Sequence, residues 1–255
     1  MNYIVTARTD IGISKTTNQD SLSVRVANTS QGRMVFAVLC DGMGGLSKGE
    51  VASASVVSAF EEWFLHELPR LTVAPLEDGT IRSQWNEIIT QQNCRIQAYG
   101  AQQNEKLGTT VVAMLITPAR YYILNVGDSR AYEISDTVKQ LTTDQTFVQR
   151  EISLGRMTEE EAMRDDRRHM LLQCVGASSD VCPDMFFGQT HDNAVYMLCS
   201  DGFRHVITEE EIYQYLSPDV LLNEHIMNAN SEALIALNKA RMERDNISVT
   251  LVRTF

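Results

Sequence analysis

Three apolar runs in this 255-residue chain each empty into an aspartate beside a glycine. Val35-Phe36-Ala37-Val38-Leu39-Cys40 leads into Asp41-Gly42, Tyr121 to Val126 into Gly127-Asp128, and Val195-Tyr196-Met197-Leu198-Cys199-Ser200 into Asp201-Gly202. A short apolar run bounded by turn residues is a buried strand, so the acid that follows surfaces at a sheet edge. A fourth acid is placed more loosely: Asp245-Asn246 stands before Ile247 to Val252, and so at the start of a strand. One Asp-Gly pair is ordinary turn chemistry, because glycine supplies the positive φ and aspartate caps the turn. Four such acids spread over the whole chain gather carboxylates.

Other elements fill in around these strands. Residues 2 to 8, 21 to 26 and 34 to 40 read as strands, as do 109 to 117, 121 to 126 and 131 to 135, the last three at antiparallel meander spacing. From Val51 the apolar positions step by four, through Ser55, Ala59 and Trp63 with Ala52, Val56, Phe60 and Phe64 beside them, which is a helix. Pro69 and Pro75 interrupt, and a second helix shows its inner face at Ile81, Trp85, Ile88, Ile89, Ile96 and Tyr99. A charged, mobile stretch is expected from Arg150 to Arg168. Thr158 with Glu161, and Thr208 with Glu211, match capping boxes and place two short helix starts. A last helix is expected from about Ser231 to Arg244, feeding a final strand at Ile247. Strands and helices fall in blocks, so the class is α+β with mostly antiparallel sheets. No linker or low-complexity tract divides the chain, which points to a single domain over 1–255.

Composition narrows the partners. A formal net charge of −11 argues against nucleic acid, whose affinity rests on clustered Lys and Arg. Five cysteines without a CxxC pair, two of them inside apolar runs, fit a reduced compartment. With no signal-like apolar stretch at the start and no run near the ~18 residues a membrane helix needs, a soluble, cytoplasmic protein is expected.

Aspartate offers hard oxygen, which suits Mg²⁺ or Mn²⁺ over softer ions. The histidines at 66, 169, 191, 205 and 225 show no paired ligand spacing, and zinc chemistry is not expected from them. Converging carboxylates repel one another unless a cation joins them. Two divalent ions about 3.5–4 Å apart activate a bridging water and clamp a phosphate, so the bare chemistry points to phosphoester hydrolysis.

The strings themselves carry a resemblance. Thr9-Asp10-Ile11-Gly12 with Asn18-Gln19-Asp20-Ser21, then Asp41-Gly42-Met43-Gly44-Gly45, Gly108-Thr109-Thr110, Asn125 to Arg130, Leu141 to Asp144, Cys199 to Gly202 and Arg244 to Val249 follow one order along the whole chain. In that order they resemble the motifs of the type 2C metal-dependent protein phosphatases, in their compact bacterial form. The resemblance implies a four-layer αββα sandwich: two antiparallel β-sheets flanked by helices, with metals at one edge. It implies a Ser/Thr phosphoprotein phosphatase acting through a metal-activated water, with two Mn²⁺ or Mg²⁺ ions and phosphorylated proteins as substrates. A Ser/Thr protein kinase would be its counterpart; no nucleic acid or membrane partner is implied, and a monomer is expected. Position by position, Asp41 looks like the carboxylate bridging both metals, Asp201 and Asp245 complete the first site, and Asp20 with the Gly42 carbonyl serves the second. Asp128 resembles the ligand of a third, weaker metal shared with Asp201. Gly44 and Gly45 would pass beneath the metals and start a helix at about Ser47, and Gly108-Thr109-Thr110 would open a core strand near the site.

The chain departs from the family pattern in three places. Lys15 stands where an arginine usually holds the substrate phosphate, giving a point charge in place of a bidentate fork. Lys15 as the phosphate-binding catalytic residue, Arg8 as its substitute, and Lys15 as a solvated surface residue all stay open at this stage. Gln145 replaces a common histidine, and Met43 stands where many eukaryotic relatives carry a general-acid histidine, which would leave leaving-group protonation to a metal-bound water. The competing reading is a pseudophosphatase, a phosphoprotein-binding module resting on Lys15 and Gln145. A nucleotide-binding P-loop in Gly42 to Lys48 fails on glycine spacing.

Overall fold

The computed structural model describes residues 1–43 and 48–255. The helix start expected at Ser47 and the roles expected of Gly44 and Gly45 therefore lie outside the described residues. One sheet is built from β1 (Tyr3–Asp10), β10 (Ile247–Thr254), β9 (Val195–Cys199), β6 (Arg130–Ile134) and β7 (Val138–Gln140), in that order. The other is built from β2 (Ser21–Thr29), β3 (Gly32–Cys40), β4 (Val111–Ile116), β5 (Arg120–Val126) and β8 (Asp184–Gln189). Every strand pair is antiparallel.

Period-two alternation explains why these sheets stack face to face. In β3, Val35, Ala37 and Leu39 point between the sheets, where Val112, Met114, Ile123, Tyr196, Leu198 and Val252 meet them. The intervening Met34, Phe36, Val38 and Cys40 point the other way, into a layer closed by α1 (Gly49–His66) and α3 (Asp78–Gln103). Phe36 touches Phe60, Phe64, Trp63 and Trp85 there, with ring centroids 5.7–5.9 Å away. Truncating so enclosed a ring costs about 3–5 kcal/mol. On the far side, Met197, Cys199, Val249 and Leu251 pack under α6 (Asp201–Arg204), α7 (Glu209–Leu216) and α8 (Glu224–Ala240). Strands buried on both faces read as unbroken apolar runs, which is why β3, β4, β5, β9 and β10 stand out in the sequence.

Several expectations shift. The last helix starts at Glu224, not Ser231, because the Asn223 side chain accepts from the Ile226 amide and caps it there; it ends at Ala240. The stretch expected to be mobile contains α4 (Phe147–Ser153) and α5 (Glu159–Arg164), besides α2 (Leu68–Leu71) earlier in the chain. Both expected capping boxes are present, Thr158 with Glu161 and Thr208 with Glu211.

Candidate metal centre

The acids are delivered to one end of the sandwich by strand ends and by hydrogen bonds between distant loops. Asp41 follows β3 directly. Its carbonyl accepts from the Thr110 amide and the Thr109 hydroxyl, both at 2.9 Å, and its own amide donates to the Thr110 hydroxyl at 3.1 Å. Gly108-Thr109-Thr110 is thus structural, as expected, and works by pinning the backbone of Asp41. Asp20 precedes β2, and one of its oxygens accepts from Ser248 at 2.5 Å. The loop before it is stitched to the last strand by Asn246, whose side chain accepts from the Gln19 amide and donates to the carbonyls of Ile11 and Thr17. Asp245 is carried by the same turn.

The glycines beside two of these acids serve close approach. A Cβ on Gly42 would lie 2.5 Å from the carbonyl oxygens of Gln19 and Gly49, and one on Gly202 2.2 Å from that of Asn246. Only the third, Gly127, has the positive φ, +102°, that the turn reading expects. Gly202 is also no hairpin turn: Asp201 opens the one-turn helix α6. The tight backbone contacts at Gly42 and Gly202 hold the Asp41, Asp20, Asp201 and Asp245 segments against one another.

Electrostatics describe the result. Burial, followed by the charges of Asp20, Asp201, Asp128 and Asp245, pushes the Asp41 carboxyl well above the usual carboxylate range. Burial and the Asp201 and Asp245 charges lift Asp20 to about 7, against a hydrogen bond from Ser248 that favours its ionised form. Asp128 also rises to about 7, from burial and then Asp201, with Arg204 opposing. One buried oxygen each of Asp20 and Asp201 has no hydrogen-bond partner. An all-oxygen donor set, with orphaned buried oxygens and mutually raised pKa values, fits hard divalent cations.

Lys15 reaches this cluster. Its ammonium lies 2.8 Å from an Asp245 oxygen and feels the charges of Asp41 and Asp201. Arg8 is placed otherwise: its guanidinium pairs with Glu232 at 3.2 Å and donates to the Ala7 carbonyl. Gln145 takes a packing role. Its side chain accepts from the Gly127 amide at 2.9 Å and donates to Asp184 at 2.7 Å, so replacement of histidine here does not argue against turnover.

A family model for protein phosphatase 2C matches residues 13–220. The chain belongs to the protein phosphatase 2C family. A serine/threonine phosphatase of Listeria welshimeri is 29% identical over 248 residues, covering 96% of this chain and 93% of that protein. The PstP phosphatase of Mycobacterium tuberculosis is 32% identical over 221 residues, 86% of this chain and 40% of that protein. Among solved structures, Staphylococcus aureus Stp1 superposes with a TM-score of 0.84 at 28% identity, covering 100% of this chain and 96% of that one. The PstP catalytic domain in complex with two manganese ions gives 0.76 at 27% identity, covering 98% and 97%. The αββα sandwich expected of a type 2C phosphatase is the architecture found.

Two features escaped the sequence. Arg130 forks onto Asp144 with two bonds of 2.7 Å, and Arg204 reaches both Asp144 and the Asp128 carbonyl. The pattern Gly-Asp-Ser-Arg followed by Thr-x-Asp held the signal, since the arginine and the second acid fall on paired segments. His169 and His205 come together beside Asp201, although spacing along the chain gave no sign of it.

Proposed function

We propose that Asp41 bridges two divalent ions, Mn²⁺ or Mg²⁺, with Asp201 and Asp245 at the first site and Asp20 and the Gly42 carbonyl at the second. Asp128, with Asp201, would serve a third, weaker site. The enzyme is a metal-dependent serine/threonine protein phosphatase, and its substrates are phosphorylated proteins. Bound ions supply a water acidified toward neutral pH and positive charge against the phosphate. The chain's own residues prepare that chemistry. Thr109 and Thr110 fix the backbone that carries Asp41, and Ser248 orients Asp20. Lys15, once released from Asp245, grips a phosphate oxygen as a point donor.

The observation that carries this reading is the set of enclosed carboxylates raising one another's pKa, with no guanidinium paired to their oxygens among the described residues. We further read residues 1–255 as one catalytic domain, monomeric and cytoplasmic, opposing a Ser/Thr kinase. No helix among the described residues is long and apolar enough to cross a membrane.

The test is release of phosphate from a phosphothreonine peptide with Mn²⁺, with Mn²⁺ plus chelator, and with Asp41→Asn. Turnover should need the metal and fall about a hundredfold or more in the variant while its circular dichroism is unchanged. Near-normal turnover by folded Asp41→Asn would sink the assignment of Asp41.

A further inference from the structure

The donor set around Asp201 changes character on its imidazole side. An oxygen of Asp201 lies 3.9 Å from His169 Nδ1 and 3.8 Å from His205 Nε2, and ligand atoms of the three residues fall within 4.8 Å of one another. The two rings meet edge to face, centroids 4.8 Å apart at 86°. This is the Oδ2 of Asp201; its Oδ1 is the buried oxygen without a hydrogen-bond partner. Asp201 therefore has one oxygen for an oxygen-lined site and another for the histidines.

A second observation concerns His205. Its other nitrogen, Nδ1, lies 3.5 Å from Glu243 Oε2, and Glu243 is itself fixed by the amides of Arg244 and Asp245 at 2.7 and 2.9 Å. A carboxylate behind an imidazole is the arrangement that holds a metal-binding histidine with its free nitrogen turned to the ion. Nitrogen and oxygen ligands at about 2.0–2.1 Å from an ion stand roughly 3.4 Å apart in a tetrahedron. The observed separations therefore close with small movements of the two rings, and the His169 side chain is 45% exposed. Arg168 now donates to His169 Nε2 at 2.8 Å, and it must let go when Nδ1 takes a metal, because Nε2 then carries the proton.

We propose that His169, His205 and Asp201 form a site for a borderline transition-metal ion such as Zn²⁺, Co²⁺ or Ni²⁺. Two imidazoles and one carboxylate leave a fourth position for water, and imidazole selects such ions over Mg²⁺. The site differs in donor chemistry from the carboxylate sites of the proposed catalytic centre, and Asp128 is not part of it. It gives the phosphatase a means to sense a metal other than the one it uses.

The test is calorimetric titration of Zn²⁺ into the full chain held in millimolar Mg²⁺, which keeps the oxygen sites filled. His169→Ala and His205→Gln should each bind one zinc fewer than wild type, or bind it at least tenfold more weakly. His225→Ala, on the exposed face of α8, should match wild type. With Co²⁺ as probe, wild type should show a visible absorption band that both variants lose. His169 lies in an exposed loop, so its variant reads the site even should His205→Gln fail to fold. Equal zinc stoichiometry and affinity in wild type and His169→Ala, or no zinc bound by wild type, would overturn the proposal.

Discussion

Asp144 and Asp128 lie close enough to feel each other's charge, yet they are treated in opposite ways. Asp144 receives a guanidinium fork from Arg130 and a further contact from Arg204 at 3.4 Å. Asp128 receives no guanidinium on its carboxylate: Arg204 passes to its backbone carbonyl. Asp20, buried, and Asp41, half-buried, likewise have no arginine on them among the described residues, and Lys15 approaches the cluster through Asp245. Arginines are therefore at hand and are used on one acid while its neighbours stay open. On the proposed assignment, a carboxylate that serves structure is closed by a cation from the chain, and most of those that serve as ligands are left for a cation from solution.

The sharpest break of this contrast is a pair of isosteric variants. Asp144→Asn strands two arginines in a half-buried setting and should lose about 3 kcal/mol of stability. Asp128→Asn removes a repelled charge, and in metal-free protein should gain of the order of 1 kcal/mol. Denaturant melts of both at pH 7.5 with chelator check the pair, and stability losses of similar size would erase the distinction.

Lys15 sharpens the comparison at its one mixed point. Lys15→Ala should cut kcat/KM on a phosphothreonine peptide by roughly tenfold, equivalent to about 1.4 kcal/mol, whereas Lys15→Arg should hold or improve it. Unchanged constants in Lys15→Ala would reduce the residue to a countercharge for Asp245.

The smallest effect lies in pH. Burial and neighbouring carboxylates push Asp20 and Asp128 up to about 7 in the folded chain, against an ordinary aspartate value of 3.8. Between those values the folded chain holds more protons than the unfolded one, so their contribution is fullest below about 4 and is lost as pH rises toward 7. The stability difference between Asp128→Asn and wild type, without metal, should therefore widen from pH 5 to pH 7.5. Saturating Mn²⁺ should remove that dependence, and a gap independent of pH would contradict the raised pKa values.

What the sequence disclosed follows from burial. β3, β5 and β9 lie buried along nearly their whole length, so their apolar runs placed the acids at Asp41, Asp128 and Asp201 with little error. β7 and β8 went unseen because they are edge strands, one of three residues and the other half-exposed, where neither alternation nor an unbroken run develops. The ligand candidates were legible because each is anchored by its own local motif. The Arg130–Asp144 fork had a signal only in its two motifs taken together, and the His169–His205 pair depends on which loops meet in space, which no spacing along the chain encodes. Glycine misled in kind: Gly42 and Gly202 are needed for closeness of backbones, which a single sequence does not separate from turn flexibility.

The most direct measurement is a calorimetric count of Mn²⁺ bound by metal-free protein at neutral pH, wild type against Asp41→Asn. If open carboxylates are ligands and Asp41 joins two ions, wild type should bind two equivalents more tightly than any third, and the variant should lose both or weaken them at least about tenfold. Two equivalents bound with unchanged affinity by folded Asp41→Asn would contradict the account.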